Sequence, residues 1–288
     1  MKNKRALFAV PYVGWMTLFV VVPIIMVVIY AFATAEGGVT LENFSSMGTY
    51  ASVFTRSFWL ALLATLICLL IGYPAAYFIS REGPRFQRIA MMLIMLPMWM
   101  NFLLRTYSWM SVLENNGLLN QLFRNIGLIS LYNGIAELFG HAPVDHFQMI
   151  GTPGAVVLGM VYNYLPFMIL PIYSVIEKMD RSLLEAAQDL GAGSARVFRK
   201  VILPLSLPGV LSGVTMVFVP SVSTFAISRL LGGGTQMMLG DLIEQQFLGG
   251  AYNPHLGAAI SLVMMVIVVV CMVVMNHFGE GEEQAVML

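Results

Sequence analysis

The sequence predicts an all-α integral membrane protein: six transmembrane helices, with a cytoplasmic helix-turn-helix loop between the fourth and fifth and both termini cytoplasmic. Three observations predict it. The 288 residues are 58% hydrophobic and only 10% charged, whereas soluble domains carry about 25% charge, and the mean hydropathy is +0.80. Six apolar runs are long enough, or nearly so, to cross a hydrocarbon core of about 30 Å. Lysine and arginine fall mainly on one side of those runs.

The first run, Leu7 to Phe32, follows Met1-Lys2-Asn3-Lys4-Arg5. A basic flank of this kind also opens signal peptides, but the run is too long and lacks a small-x-small cleavage site, so it is expected to stay as an uncleaved span. The second run is Phe58 to Ile79 and the third, the shortest, Ile89 to Leu104. The fourth to sixth are Ala155 to Ile176, Leu205 to Val222 and Ala258 to Met275, so residues 1–288 read as one transmembrane domain. An even number of spans returns both termini to one side. The N-terminus, the Arg81 to Arg88 loop and the stretch Glu177 to Lys200 hold 11 of the 15 basic residues. Arg56, Arg105, Arg124 and Arg229 fall on the other face. Basic loops stay in the cytoplasm, which places both termini and residues 177–204 there.

The outer face carries Glu36, Glu42, Glu114, Glu137, Asp145, Asp241 and Glu244 against those four arginines, a balance of −3. Such a field favours cationic cargo. It is also what sorting of basic loops leaves behind. Two amphipathic stretches, Leu118 to Ile126 and Ile135 to Phe139, lie between the third and fourth spans. A second outer region runs from Leu231-Gly232-Gly233-Gly234 through Gln236 to Leu248. Segments of this size between membrane spans dock a partner or gate.

Several chemistries are excluded. No Gly-x4-Gly-Lys-Ser/Thr occurs, and Gly232-Gly233-Gly234 is followed by Thr235-Gln236 without a lysine, so the chain is not expected to bind ATP. His141 and His146 are spaced poorly for a metal, and no His-Glu-x2-His occurs. Cys68 and Cys271 fall inside spans and read as small apolar fillers. No catalytic residue or cofactor is expected in this chain.

Polar and aromatic residues at membrane depth are the candidates for a substrate pathway, because each costs free energy unless it meets a pathway or a partner. They are Trp99, Asn101, Tyr107, Glu114, Tyr162 and Asn163. Glu114 is the carboxylate closest to the third span and the best placed to meet an amine. Asn163 reads equally as an interhelical hydrogen bond or a pathway group. Arg105, among Trp99, Tyr107 and Trp109, reads as a snorkelling arginine in an interfacial belt, with a cargo contact as the other reading. Prolines recur inside or at the ends of spans, at Pro97, Pro166, Pro171, Pro204 and Pro208 among others, as suits a bundle that rocks between two states.

The polar stretch after the fourth span has helical pattern of its own. Ser182 and Glu185 have capping-box spacing, and Leu183, Leu184, Ala187 and Leu190 form one apolar stripe. That helix is expected to close at Gly191. A second is expected to start at Ser194 and to be ended or kinked by Pro204 and Pro208.

The spacing Glu185-Ala186-Ala187, three residues, Gly191, nine residues, Val201-x-Leu203-Pro204 resembles the EAA loop of ABC importer permeases; Val201 replaces the usual isoleucine. The resemblance implies a coupling helix that docks into a groove on a cytoplasmic ATPase, with Glu185, Ala186, Ala187, Asp189, Gly191, Leu203 and Pro204 as the coupling residues. Asn101 to Tyr107, Asn116 to Asn120 and Tyr164-Leu165-Pro166-Phe167-Met168 are further similar to the spermidine/putrescine branch of type I importers. That implies a second, homologous permease, an ABC ATPase dimer holding ATP and magnesium, an extracytoplasmic solute-binding protein, and a small-molecule substrate in the lipid bilayer, with no nucleic acid. Permeases for phosphonate, thiosulfate or iron share much of this framework. An ion-coupled secondary transporter would need mid-membrane carboxylates, and the six runs hold none.

Overall fold

Within lipid every backbone N–H and C=O must find a partner inside the chain, so long apolar runs fold as helices. The computed structural model describes residues 10–34, 36–140, 142–250 and 252–286, and these are almost entirely helix, turn or coil, with one isolated bridge between Ala33 and Val39. Leu7 to Ala9 of the first run, the basic cluster before it, and His141 lie outside the described residues. Apart from the short helix Glu42–Ser46, the helices in chain order are α1 (Val10–Phe32), α2 (Ala51–Arg81), α3 (Pro84–Met95), α4 (Phe102–Leu113), α5 (Leu118–Asn125) and α6 (Leu128–Leu138). There follow α7 (Pro153–Glu177), α8 (Arg181–Asp189), α9 (Ser194–Val197), α10 (Leu203–Ser223), α11 (Ala226–Leu231), α12 (Leu239–Leu248) and α13 (Pro254–Val286).

Among the described residues, five helical segments are long and apolar enough to cross a membrane, and a sixth crossing exists if one bent pair counts as a span. That pair is the third apolar run. Instead of one helix from Ile89 to Leu104, Pro84–Trp99 and Phe102–Asn125 meet at 91°. The break has a local cause. Met100 and Asn101 are extended (ψ 149° and 132°), and Asn101 Oδ1 accepts the N–H groups of Leu103 (2.8 Å) and Leu104 (3.4 Å), so Asn101 starts a new helix.

The described residues fall into two units: those up to Phe54 with Leu242–Cys271, and Thr55–Asp241 with residues from Met272 on. In the first, Ala31 of α1 and Ala258 and Ala259 of α13 are fully buried with Phe44 and Phe247 around them. Asn43 Nδ2 donates to the carbonyls of Ala31 and Ala33 (3.0 Å each), pairing acceptors that the end of α1 leaves open.

The second unit is built around α7, the most buried of the candidate spans. Its main partner is α10. The approach is close because Gly209-x3-Gly213 faces α7. A Cβ on Gly209 would lie 2.8 Å from the Pro171 carbonyl oxygen, and one on Gly213 2.8 Å from Met168 Sδ. Small residues four apart let membrane helices touch backbone to backbone, where dispersion contacts replace the absent hydrophobic drive. The turn after α11 is tied to the start of α7: Gly151 N–H donates to the Leu231 carbonyl (2.8 Å), and Thr235 Oγ1 to the Gly151 carbonyl (2.9 Å). Asp241, buried, accepts from Ser228 Oγ (2.5 Å) and the Met238 N–H (3.0 Å), which holds the start of α12.

Candidate functional site

The polar stretch 177–204 folds as two short helical limbs. Its first limb, α8, is capped by Asp180 and not by Ser182, since Asp180 Oδ1 accepts the Ser182 N–H (2.9 Å). The Ser182 bonds hold the Asp180 carboxyl below the usual carboxylate range. α8 closes where expected. Gly191 is left-handed (φ +78°), its N–H donates to the Gln188 carbonyl (2.8 Å), and that of Ala192 to the Ala187 carbonyl (3.1 Å). These two bonds make a Schellman turn. Of the apolar stripe of α8, Leu183 and Leu190 (88%) are exposed, while Leu184 and Ala187 are half-buried and Leu184 lines the cavity described below. Glu185, Ala186 and Asp189 are exposed beside it.

The second limb begins at Gly193, whose carbonyl accepts the N–H groups of Arg196 and Val197; no side-chain cap from Ser194 forms. Pro204 does not end the helix. α9 passes through a π-helical turn, Phe198–Ile202, straight into α10, giving one helix from Ser194 to Ser223. The Leu203 N–H reaches back to Phe198, five residues, and this wider turn absorbs the donor that proline lacks. Leu203 and Pro204 therefore lie within a continuous rod, both exposed. Three aromatic groups clamp its base. Phe198 meets Tyr73 (5.9 Å) and Tyr77 (5.3 Å) of α2 edge-on, and the Tyr73 hydroxyl is 2.8 Å from Ser206 Oγ. Val197 and Ile202 are buried beneath. A cavity of about 410 Å³ opens between the end of α2, the start of α3 and α8, lined by Tyr77, Glu82, Glu177 and Glu185 among others.

The pathway candidates divide. Trp99 is 77% exposed at the end of the 3-10 turn Leu96–Trp99 that follows α3, Asn101 is committed to capping α4, and Tyr107 and Glu114 are exposed. Tyr162 of α7 packs edge-on against Trp109 of α4 (5.3 Å). Asn163 is 2% exposed; its Nδ2 donates to the Gly159 carbonyl of its own helix (2.8 Å), while Oδ1 has no partner. The structure thus brings α4 and α7 together through Trp109 and Tyr162, and links none of Trp99, Tyr107 or Glu114 to Asn163 by a hydrogen bond among the described residues. Arg105 does not snorkel. It is 8% exposed, and its Nε and Nη1 are buried without partners. Its guanidinium lies within electrostatic reach of Tyr164 on α7. The expectation failed because Arg105 stands past the 91° break, on α4, which packs against α7 and α11 and buries it. Sequence reasoning also missed the Phe198 clamp and Gly209-x3-Gly213. Both left signals, a tyrosine pair four apart on α2 and a glycine pair four apart on α10.

Residues 68–281 match the family described as binding-protein-dependent transport system inner membrane component. The chain is 37% identical over 262 residues to the spermidine/putrescine transport system permease protein PotB of Haemophilus influenzae, covering 88% of this chain and 86% of that protein. It is 35% identical over 266 residues to PotB of Escherichia coli, covering 90% and 91%. Among solved structures it resembles a chain of a bacterial ABC transporter involved in the import of the acidic polysaccharide alginate (TM-score 0.78, 17% identity, 97% and 96% covered). It also resembles one of the MetNI methionine ABC transporter in an inward-facing conformation (TM-score 0.57, 16% identity, 83% and 98% covered). At these identities the structural likeness speaks to fold alone.

Proposed function

This chain belongs to the family of binding-protein-dependent transport system inner membrane components, and from that premise we propose that it is the permease subunit of an ATP-driven ABC importer that forms the membrane pathway for spermidine and putrescine. It is a multi-pass inner membrane protein. The observation that carries the reading is the loop 177–204: α8, closed by Gly191, presents exposed Leu183 and Leu190 at the ends of its apolar stripe, and the second limb, from Ser194, runs without a break into span α10. A groove on an ATPase would cover that stripe, and the continuous rod would carry its movement into the bundle.

In this reading the loop and both termini face the cytoplasm, as the distribution of basic residues supports. Glu185, Ala186, Ala187, Asp189, Gly191, Leu203 and Pro204 form the coupling surface. ATP and magnesium are held by the ATPase dimer, and this chain carries no catalytic group. Trp99, Asn101, Tyr107, Glu114, Tyr162 and Asn163 line or border the route. The exposed extended backbone at Met100 and Asn101 supports placing that edge against water or protein, because lipid does not tolerate it. A second permease would cover one side, and an extracytoplasmic binding protein would deliver the polyamine. ATP binding would favour the outward state and hydrolysis the return, two states biased by contacts at two sites.

One observation favours a second cargo class. The buried Nε and Nη1 of Arg105, which have no partner, are what an anionic solute such as a phosphonate or thiosulfate would seek. Uptake decides between them. Cells lacking other polyamine importers, supplied with this chain and its partner subunits, should accumulate radiolabelled spermidine or putrescine in an ATP-dependent manner. Accumulation of phosphonate or thiosulfate instead overturns the polyamine reading. Glu185→Arg should abolish uptake while the chain remains in the membrane, and unchanged uptake removes the coupling role.

A further inference from the structure

Between α4 and α7 lie α5 and α6, which hold none of the coupling or pathway residues named above. At about 100° per residue, the eleven residues of α6 divide into three sectors. Ile129 and Ala136 are buried and Asn133 half-buried on one. Ser130, Gly134 and Glu137, all exposed and small or polar, form the next. The third is apolar and exposed: Leu128, Leu131, Tyr132, Ile135, Leu138 and, at the cap, Phe139. It spans an arc of about 120°. Leu118 and Leu122 of α5, with Ile126 just past its end, repeat the pattern with Gln121, Arg124 and Asn125 as the polar sector.

The buried sector fixes both helices at the membrane end of α7. Asn133 and Val144 exchange two hydrogen bonds (2.9 Å each), and Asn120 and Phe147 two more (3.0 and 2.9 Å). The Phe147 ring is held edge-on by Tyr132 (5.3 Å) and Phe123 (5.8 Å). Pro153, the first residue of α7, follows shortly after Phe147, and Asn120 also donates to the carbonyl of Glu114, where α4 ends (3.2 Å). The pair therefore sits where one membrane segment leaves and the next enters, at the end of α7 opposite α8.

We propose that α5 and α6 lie flat in the lipid–water interface on the side of the membrane away from the 177–204 loop, apolar arc in the acyl boundary and polar arc in water. A helix of eleven residues is about 16 Å long and cannot cross a core of about 30 Å. Separate apolar and polar exposed faces are the pattern of helices that lie in that plane. A lipid occupant fits better than a visiting soluble protein, because between visits such a partner would leave a broad apolar arc bare to water.

Single cysteines at Leu131, Ile135 and Leu138, and at Ser130 and Glu137, placed in a Cys68→Ala, Cys271→Ala background and spin-labelled, test this in the assembled transporter in phosphatidylethanolamine/phosphatidylglycerol vesicles. The ratio of oxygen to nickel-chelate accessibility should be several-fold higher at the first three sites than at the last two. Equal ratios, with nickel reaching all five, overturn the proposal. Exclusion of both reagents at the apolar arc overturns it in favour of a protein cover. An Ile135→Trp variant gives a second readout: the fluorescence it adds over that of the parent transporter, whose native tryptophans serve as the baseline, should be quenched by brominated lipid, and quenching of that increment by aqueous iodide alone counts against lipid. Neither measurement depends on the cargo.

Discussion

Arg105 illustrates how much one side chain costs. A guanidinium held away from water with Nε and Nη1 unpaired forfeits its hydration without recovering it from a partner. Such groups persist where function needs them. Arg105→Met should therefore leave the purified chain as stable or more stable, by up to roughly 1–3 kcal/mol, in a thermal unfolding assay in detergent, while uptake by the assembled transporter falls sharply. Arg105→Lys should not restore it, because an ammonium cannot reproduce the planar donor set. Asp180 shows the opposite case, a charge fully satisfied at a helix start. Its folded pKa is lowered, so the cap is fully present above the unfolded carboxylate pKa and is lost as pH falls through the lower folded value. Asp180→Asn should keep α8 capped but remove that acid sensitivity, as followed by amide hydrogen exchange across residues 181–189. At this scale the sequence misleads wherever a partner is distant in the chain. Ser182 had the right spacing for a cap, yet Asp180 two residues earlier takes the role, and nothing local to Arg105 announces its burial.

Helices were legible from hydropathy and their junctions were not. The run through Ile89 to Leu104 reads as one span because an average over apolar residues is blind to a 91° turn. Asn101, a cap former inside an apolar run, and Pro97 just before it were the available signals. The end of α8 was readable because a left-handed closing residue is nearly always glycine. The α7–α10 crossing gives the element-level prediction. Gly209→Val would press a side chain onto the Pro171 carbonyl and Ile172 Cα, both backbone and unable to yield. It should cost about 1–3 kcal/mol and lower the yield of folded protein in membranes. Gly134 in α6 has nothing within 4 Å of its Cβ position, so Gly134→Ala should be neutral or stabilise by about 0.5–1 kcal/mol, read as a rise in Tm.

For the whole molecule, the membrane class, the number of runs and the polar loop between two of them followed from composition and charge placement. How the loop joins the bundle did not, because that depends on a π-helical turn that carries the helix past Pro204, where the sequence led to the expectation of an end or a kink. Sidedness is the molecule-level prediction. Cysteines at Gln188 and Ser194 should react with a membrane-impermeant maleimide only after the cytoplasmic face is opened, whereas one at Glu137 should react in intact spheroplasts. The reverse pattern would place the loop on the wrong side for any ATPase.

The unbroken rod from Ser194 to Ser223 bears on what kind of force can reach the bundle. A joint made of flexible chain passes on tension and little else. A stiff shaft keyed to its neighbour by Phe198 also transmits torque, so a small tilt of the short crank at its foot becomes rotation along its full length. Softening that shaft, with two glycines at Arg199 and Lys200, should uncouple the motor from the gate while leaving both intact: ATP would still be hydrolysed, and cargo would stay outside.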